Sequence, residues 1–180
     1  MTDPTVRLMH YDPRWKQEFE QTRSSILQSC GGWVTCVEHI GSTAISGLIA
    51  RPTIDILAAV APTSSTNERE HALTEAANLI EGLNFRRHPV AAWAIDSILL
   101  DKPRHGAATH RIYLTATQSP AWRQALAIRD HLRRDPELAI RFEETKVARW
   151  RSSEGDPEKY EKDKSVFFTH LLDQLGGGKK

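Results

Sequence analysis

Polar and apolar positions along the chain follow two different periods. From Val34 to Ile40 (VTCVEHI) they alternate, which predicts a strand. Thr53 to Val60 (TIDILAAV) is apolar on both faces apart from Asp55, which predicts a central strand. AIDSILLD and RIYLTAT predict two more, separated by the loop KPRHGAATH. TVRLMHY, within residues 1–11, reads as a short strand ahead of them. Elsewhere the period is helical. Trp15, Phe19, Ile26, Leu27 and Cys30 share one stripe, begun by a capping Asp12 and a first-turn Pro13 and stopped by Gly31-Gly32. Ser65 with Glu68 forms a capping box for a helix over 66–82 that ends near Gly82.

After Thr117 only helices are predicted. Ser119-Pro120, Asp135-Pro136 and Asp156-Pro157 each pair a capping side chain with a first-turn proline, giving helices near 120–133, 136–151 and 157–174. The fold class is therefore α/β (α+β): a mixed sheet with flanking helices over 6–118, then a helical half over 119–175 packed on it. No linker divides them, so residues 1–175 read as one domain and 176–180 as a flexible tail.

Composition narrows the function classes. The chain has 180 residues, 39% hydrophobic and 26% charged, ordinary values for one globular domain. A net charge of +1 argues against non-specific nucleic-acid binding, which needs a basic excess. No apolar run is long enough for a membrane span, and the first residues lack a basic segment leading into an apolar core. These features point to the cytoplasm. Cys30 and Cys36 make neither a disulfide framework nor a zinc site, and Cys36 reads as a small buried residue on its strand. No Ser-His-Asp order, CxxC or HExxH motif suggests a hydrolase triad or zinc chemistry. Nothing here sets the oligomeric state.

Candidate chemistry begins between the first two of these strands. Gly41, Ser42 and Thr43 turn the chain at the end of VTCVEHI, where backbone amides and a hydroxyl can approach a phosphate. Asp55 follows on an apolar strand, where a carboxylate is costly unless paired or metal-bound. A divalent ion such as Mg²⁺ held there bridges triphosphate oxygens. Equally, Gly41 and Gly47 serve as turn glycines, Ser42 as a cap and Asp55 as an acceptor of loop amides. A second set of residues lies on core-facing helix stripes. Arg129 follows Ala125 by four, Lys146 follows Phe142 by four, and Lys164 follows Tyr160 by four. Each can pair with Asp130, Glu143 or Asp55, or snorkel to the surface. As a set they favour convergence on an anionic ligand, to which Arg51 adds another charge. His39 and His110 are either hydrogen-bonding props for their loops, or metal ligands or acid/base groups.

HIGSTAISGLIARPTIDILAAV resembles the GrpB family, whose motif runs approximately H-I-G-S-T-A-V-P-G-L-x-x-K-P-x-I-D-I. IRDHLRRDPELAIRFEETK is similar to that family's F-R-D-x-L-R-x-x-P-x-x-x-x-x-Y-x-x-L-K, and YEKDKSVFF to its Y-x-x-x-K-x-x-F. The likeness covers about residues 6–173. It implies a nucleotidyltransferase-like fold, with Asp55 and Ser42 as catalytic candidates and Asp55 as the metal ligand. In that family the fold also occurs fused to a coenzyme A biosynthetic kinase, which allows an accessory role. The sequence departs from the pattern at Ser46 for Pro, Arg51 for Lys, Ile128 for Phe and Phe142 for Tyr. In the wider superfamily a second acid stands two residues after the first, and here that place holds Leu57. Residues 55 and 57 share a strand face, so the missing carboxylate belongs to the same metal. Glu38, Asp96 and Asp101 are the available replacements.

Two functions follow. One is an enzyme that binds a nucleoside triphosphate with Mg²⁺ and transfers a nucleotidyl group to, or activates, a small-molecule substrate. Its charge-neutralising residues are Arg51, Arg129, Lys146 and Lys164. The other is a non-catalytic module that keeps the fold and binds a small anionic ligand or a partner protein.

Overall fold

The computed structural model describes residues 7–90, 94–103, 105–154 and 156. The helix expected over 157–174, the tail, Tyr160 and Lys164 lie outside these residues.

Helix α1 (Arg14–Ser29) leads into β1 (Val34–Ile40), a short 3₁₀ turn over Ser42–Ala44, β2 (Ile54–Val60) and α2 (Thr66–Glu81). Then come β3 (Arg86–His88), β4 (Ile98–Lys102), β5 (His110–Ala116), α3 (Pro120–Arg134) and α4 (Pro136–Ser152). The strands form one sheet in the order β1-β2-β5-β4-β3. Only the β2–β5 pairing is parallel. The connection from β2 through α2, β3 and β4 to β5 is long enough to make that parallel pair.

Helix starts follow their capping chemistry. Ser65 Oγ accepts from the Glu68 amide, and the Glu68 carboxylate reaches back to the Ser64 amide. Ser119 and Asp135 accept from Trp122 and Leu138, with Pro120 and Pro136 as first helical residues. At α1 the capping is displaced by one residue. Pro13 holds the cap position, and Asp12 Oδ1 accepts from the Arg14 amide at 2.9 Å. Two expectations need correction. The described part of the predicted strand at 1–11 makes a single bridge, Met9 to Ala50, because no neighbouring strand continues the ladder. Cys36 is half-buried, since β1 is an edge strand and a register irregularity sits between Val34 and Cys36. Strand β3 is too short and charged to show an alternation.

The sheet has two differently covered faces. Ile54, Ile56, Ala58 and Val60 of β2 face α1 and α2 in the main core, with Trp15, Phe19, Ile26, Ala76 and Ile80. The alternate residues face α3, where Ile40, Leu57, Leu99 and Tyr113 meet Ala121 and Ala125. A third cluster plugs the β1–β2 loop into the helical half: Ile45 and Leu48 pack on Leu132, Ala139 and Phe142. Burying Ile45 and Leu48 contributes about 1.5–3 kcal/mol each, which fixes this loop against α3 and α4. Among the described residues no helix is long and apolar enough to cross a membrane.

Candidate functional site

Register places the candidate residues. Ile40 of β1 stands opposite Asp55, and Glu38 opposite Leu57. On the other side of β2, Arg111 is the partner of Asp55 and Tyr113 of Leu57. Asp101 of β4 and Arg86 of β3 continue the row that holds Asp55 and Arg111. Register partners share a face, so Glu38, Asp55, Arg111 and Asp101 all lie on the α3 side of the sheet.

The turn above Asp55 depends on Gly41. Its φ of 71° and ψ of −171° lie in a region that side chains disfavour. A Cβ there would stand 2.6 Å from Asp55 Oδ2, so the missing side chain is what lets the turn lie on the carboxylate. Asp55 Oδ1 is buried and has no hydrogen-bond partner. Such groups are few in native structures, and each needs a cause.

The helical half grips this loop through its backbone. Arg129 Nη1 donates to Glu38 Oε2 at 2.6 Å and to the His39 carbonyl at 3.2 Å, while Nε donates to Asp130 at 2.8 Å. Arg133, one turn on, donates twice to the Ala44 carbonyl. From α4, Glu143 accepts from the Ile49 amide at 2.6 Å, and the buried Lys146 ammonium donates to the Ile49 carbonyl. Lys146 also lies over the Phe142 ring. Arg129 and Lys146 therefore hold the loop that carries Gly41 and Ser42. Arg51 is half-buried at the end of that loop, where its carbonyl accepts from the Thr53 amide at 2.7 Å. Arg133 was not among the expected residues, although its place four after Arg129 was a usable signal.

His39 and His110 point to the opposite face. His39 stacks on Phe19 of α1, with ring centroids 4.7 Å apart, and its Nε2 lies 2.9 Å from Thr43 Oγ1. Thr43 in turn donates to the Thr53 carbonyl, so the Thr43 oxygen accepts from a protonated His39 Nε2. Both groups shape the turn from beneath. Burial, with the charges of Arg133 and Arg129, lowers the His39 pKa from 6.5 to about 4. Burial and Lys102 lower His110 to about 4. Both imidazoles are neutral near pH 7.

A pH dependence follows. Unfolded histidines titrate at 6.5 and these folded ones at about 4, so the unfolded chain binds more protons between those values. Their contribution to stability is complete above pH 6.5 and is lost as the pH falls toward 4. Urea midpoints measured from pH 7 to 4.5 should drop, and the drop should be smaller in His39→Gln/His110→Gln. Equal slopes in the two proteins would remove the histidines from the account.

The metal the sequence suggests must fit these donors. Leu57 is fully buried at the second-acid position, against the α3 cluster. Glu38, diagonal to Asp55, is engaged by Arg129. Asp101 accepts both hydrogen bonds of an Arg111 fork, and Asp96 Oδ2 accepts from the Ala121 amide at the start of α3. Among the described residues no group of three or more His, Cys, Asp or Glu is arranged to hold a metal. These donors do not fit two ions. Of these carboxylates Asp55 is the one that accepts no hydrogen bond, so it is the residue that would hold a single hard cation, which commonly takes one or two carboxylates.

Comparison with known proteins adds a family context. A family model described as GrpB protein matches residues 5–174. A UPF0157 protein of Streptomyces coelicolor is 31% identical over 176 residues, covering 97% of this chain and 87% of its own. The crystal structure of conserved protein GrpB from Enterococcus faecalis superposes with a TM-score of 0.76 at 23% identity, over 93% of this chain and 96% of that one. Terminal uridylyl transferase 4 from Trypanosoma brucei with bound GTP reaches a TM-score of 0.47 at 12% identity, over 72% of this chain and 40% of that one. A likeness that low carries no function across.

Proposed function

The chain belongs to the GrpB family, and from that premise we propose that it binds a nucleoside triphosphate with one Mg²⁺ and transfers a nucleotidyl group to, or activates, a small-molecule substrate. The observation that carries this reading is the buried Asp55 Oδ1 without a partner, set against the Gly41 turn. A bound Mg²⁺ supplies neutralisation of triphosphate charge. Asp55 Oδ1 would hold the ion. Gly41, lacking a Cβ, lets the turn lie against Asp55, and the Ser42 hydroxyl would donate to phosphate oxygens there. Arg129 and Arg133 hold the His39 and Ala44 carbonyls, so the turn keeps its shape as the ligand arrives. Preorganised donors of this kind need no rearrangement at the reacting charge.

Calorimetry with ATP, GTP, CTP and UTP in the presence of Mg²⁺ tests the reading. At least one should give heat and a rise in melting temperature. No heat and no thermal shift with any of them overturns it.

Leu57 favours a second reading. An apolar residue, fully buried, occupies the second-acid position, so the fold is retained as a metal-free binding module for a small anionic ligand. That module's binding survives EDTA, and strict metal dependence counts against it.

A further inference from the structure

The row that carries Asp55 alternates in charge across the sheet. Asp55, Arg111, Asp101 and Arg86 are successive register partners on β2, β5, β4 and β3. Arg111 thus has a carboxylate on each side, yet it bonds to only one. Its Nε and Nη2 donate to Asp101 Oδ1 and Oδ2 at 2.9 and 3.0 Å. No hydrogen bond joins it to Asp55. Among the described residues Arg111 Nη1 makes no hydrogen bond, and Asp55 Oδ1 makes none either.

The row therefore holds, on adjacent strands, a donor that no protein group fills and a buried acceptor, Asp55 Oδ1, that none fills either. The Arg111 side chain is 19% exposed. A bidentate fork to Asp101 fixes the plane of the guanidinium. Burial disfavours the Arg111 charge, but the Asp101 hydrogen bonds and the neighbouring Asp55 and Asp101 carboxylates more than offset it. Arg111 is accordingly a permanent, immobilised cation beside a carboxylate with a buried, unpartnered oxygen.

We propose that Arg111 is an anion-binding residue of this site: held by Asp101, it offers Nη1 to a phosphoryl oxygen of the ligand and supplies the second positive charge that Leu57 denies to a second metal. The inference rests on the reading that the Gly41-Ser42 turn receives phosphate. Its electrostatics are specific. The Arg111–Asp101 pair is neutral overall, so without metal the Asp55 charge repels an incoming anion. With one divalent ion on Asp55 the sign of the site reverses. Removing the Asp55 charge should likewise admit the anion without metal.

Inorganic tripolyphosphate is the probe, followed by calorimetry under two binding conditions, the wild-type chain with Mg²⁺ and Asp55→Asn in EDTA, with wild type in EDTA as the reference. Asp55→Asn in EDTA should bind more tightly than wild type in EDTA. Under both conditions Arg111→Leu/Asp101→Leu should weaken binding about tenfold to a hundredfold, the worth of a hydrogen bond to a charged group. That double replacement removes both members of the Arg111–Asp101 pair, and such swaps are often neutral for folding. Arg111→Lys keeps the charge without the fork and should lose less. It carries the test should the double variant melt early.

Magnesium-dependent binding that is indifferent to both Arg111 changes overturns the inference and leaves the proposed function standing. Failure of wild type to bind with Mg²⁺, beside Arg111-dependent binding in Asp55→Asn, does the reverse. Absence of binding under both conditions overturns the two together.

Discussion

Asp55→Asn should abolish magnesium-dependent nucleotide binding while leaving the protein folded. Asn keeps the shape of Asp and removes the charge. In the fold, Asp55 Oδ1 accepts no hydrogen bond that the change would break. Arg111 keeps its bidentate partner Asp101, so no buried cation is stranded. The melting temperature without ligand should therefore lie within about 4 °C of wild type, corresponding to roughly 1 kcal/mol or less. Binding should respond very differently. A neutral amide is a far poorer ligand for a hard divalent ion, and Glu38 is already engaged by Arg129. An affinity loss of about a hundredfold or more is expected, as for removal of a metal's principal anionic ligand, about 3 kcal/mol. The magnesium-dependent part of the ligand-induced rise in melting temperature should vanish with it. A fall of more than about 10 °C without ligand would instead make Asp55 a structural residue, and retained magnesium dependence would move the metal elsewhere.

Why Asp55 could be picked from the sequence and Arg111 could not is a matter of range. Capping residues at 65, 119 and 135 act on amides two or three positions away, so their helices were legible within a few residues. Strands β1, β2 and β5 declared themselves by local alternation or by continuous apolar character. Asp55 stood out because it breaks such a run. Arg111 sits in an alternating strand where a charged residue raises no alarm. Its importance comes from register with Asp55 and Asp101, set by pairings 56 and 10 positions apart in the chain. Arg129 and Lys146 lie on core-facing stripes and Arg129 pairs with the expected Asp130, but each also reaches a backbone carbonyl, of His39 and of Ile49, some 90 or more residues away in the chain. Loop carbonyls have no sequence signature. Strand β3 escaped for a simpler reason: three exposed or half-exposed residues, Arg86 to His88, carry no periodicity.

Gly41→Ala tests the site without reference to any ligand, and its cost should exceed that of the same change at Gly47. Both glycines have positive φ, 71° and 84°. Each substitution therefore carries a backbone penalty of about 1–2 kcal/mol. At Gly47 a Cβ meets nothing within 4 Å, so that penalty is the whole effect. At Gly41 the Cβ meets Asp55 Oδ2 at 2.6 Å, its Cβ at 3.1 Å and its Cγ at 3.2 Å. Overpacking adds about 1–3 kcal/mol, for a total near 2–5 kcal/mol in urea unfolding. The two contributions separate in a double-mutant cycle. Asp55→Ala removes the carboxylate that the new methyl strikes but leaves the backbone strain and the 3.1 Å contact. Gly41→Ala should thus cost about 1–2 kcal/mol less in an Asp55→Ala background than in wild type. Equal costs at Gly41 and Gly47, or a cycle that closes to zero, would mean that the turn does not lie on the Asp55 carboxylate. A nonzero coupling would tie the turn to the acid in solution, so that a phosphate held by the Ser42 turn would lie beside Asp55.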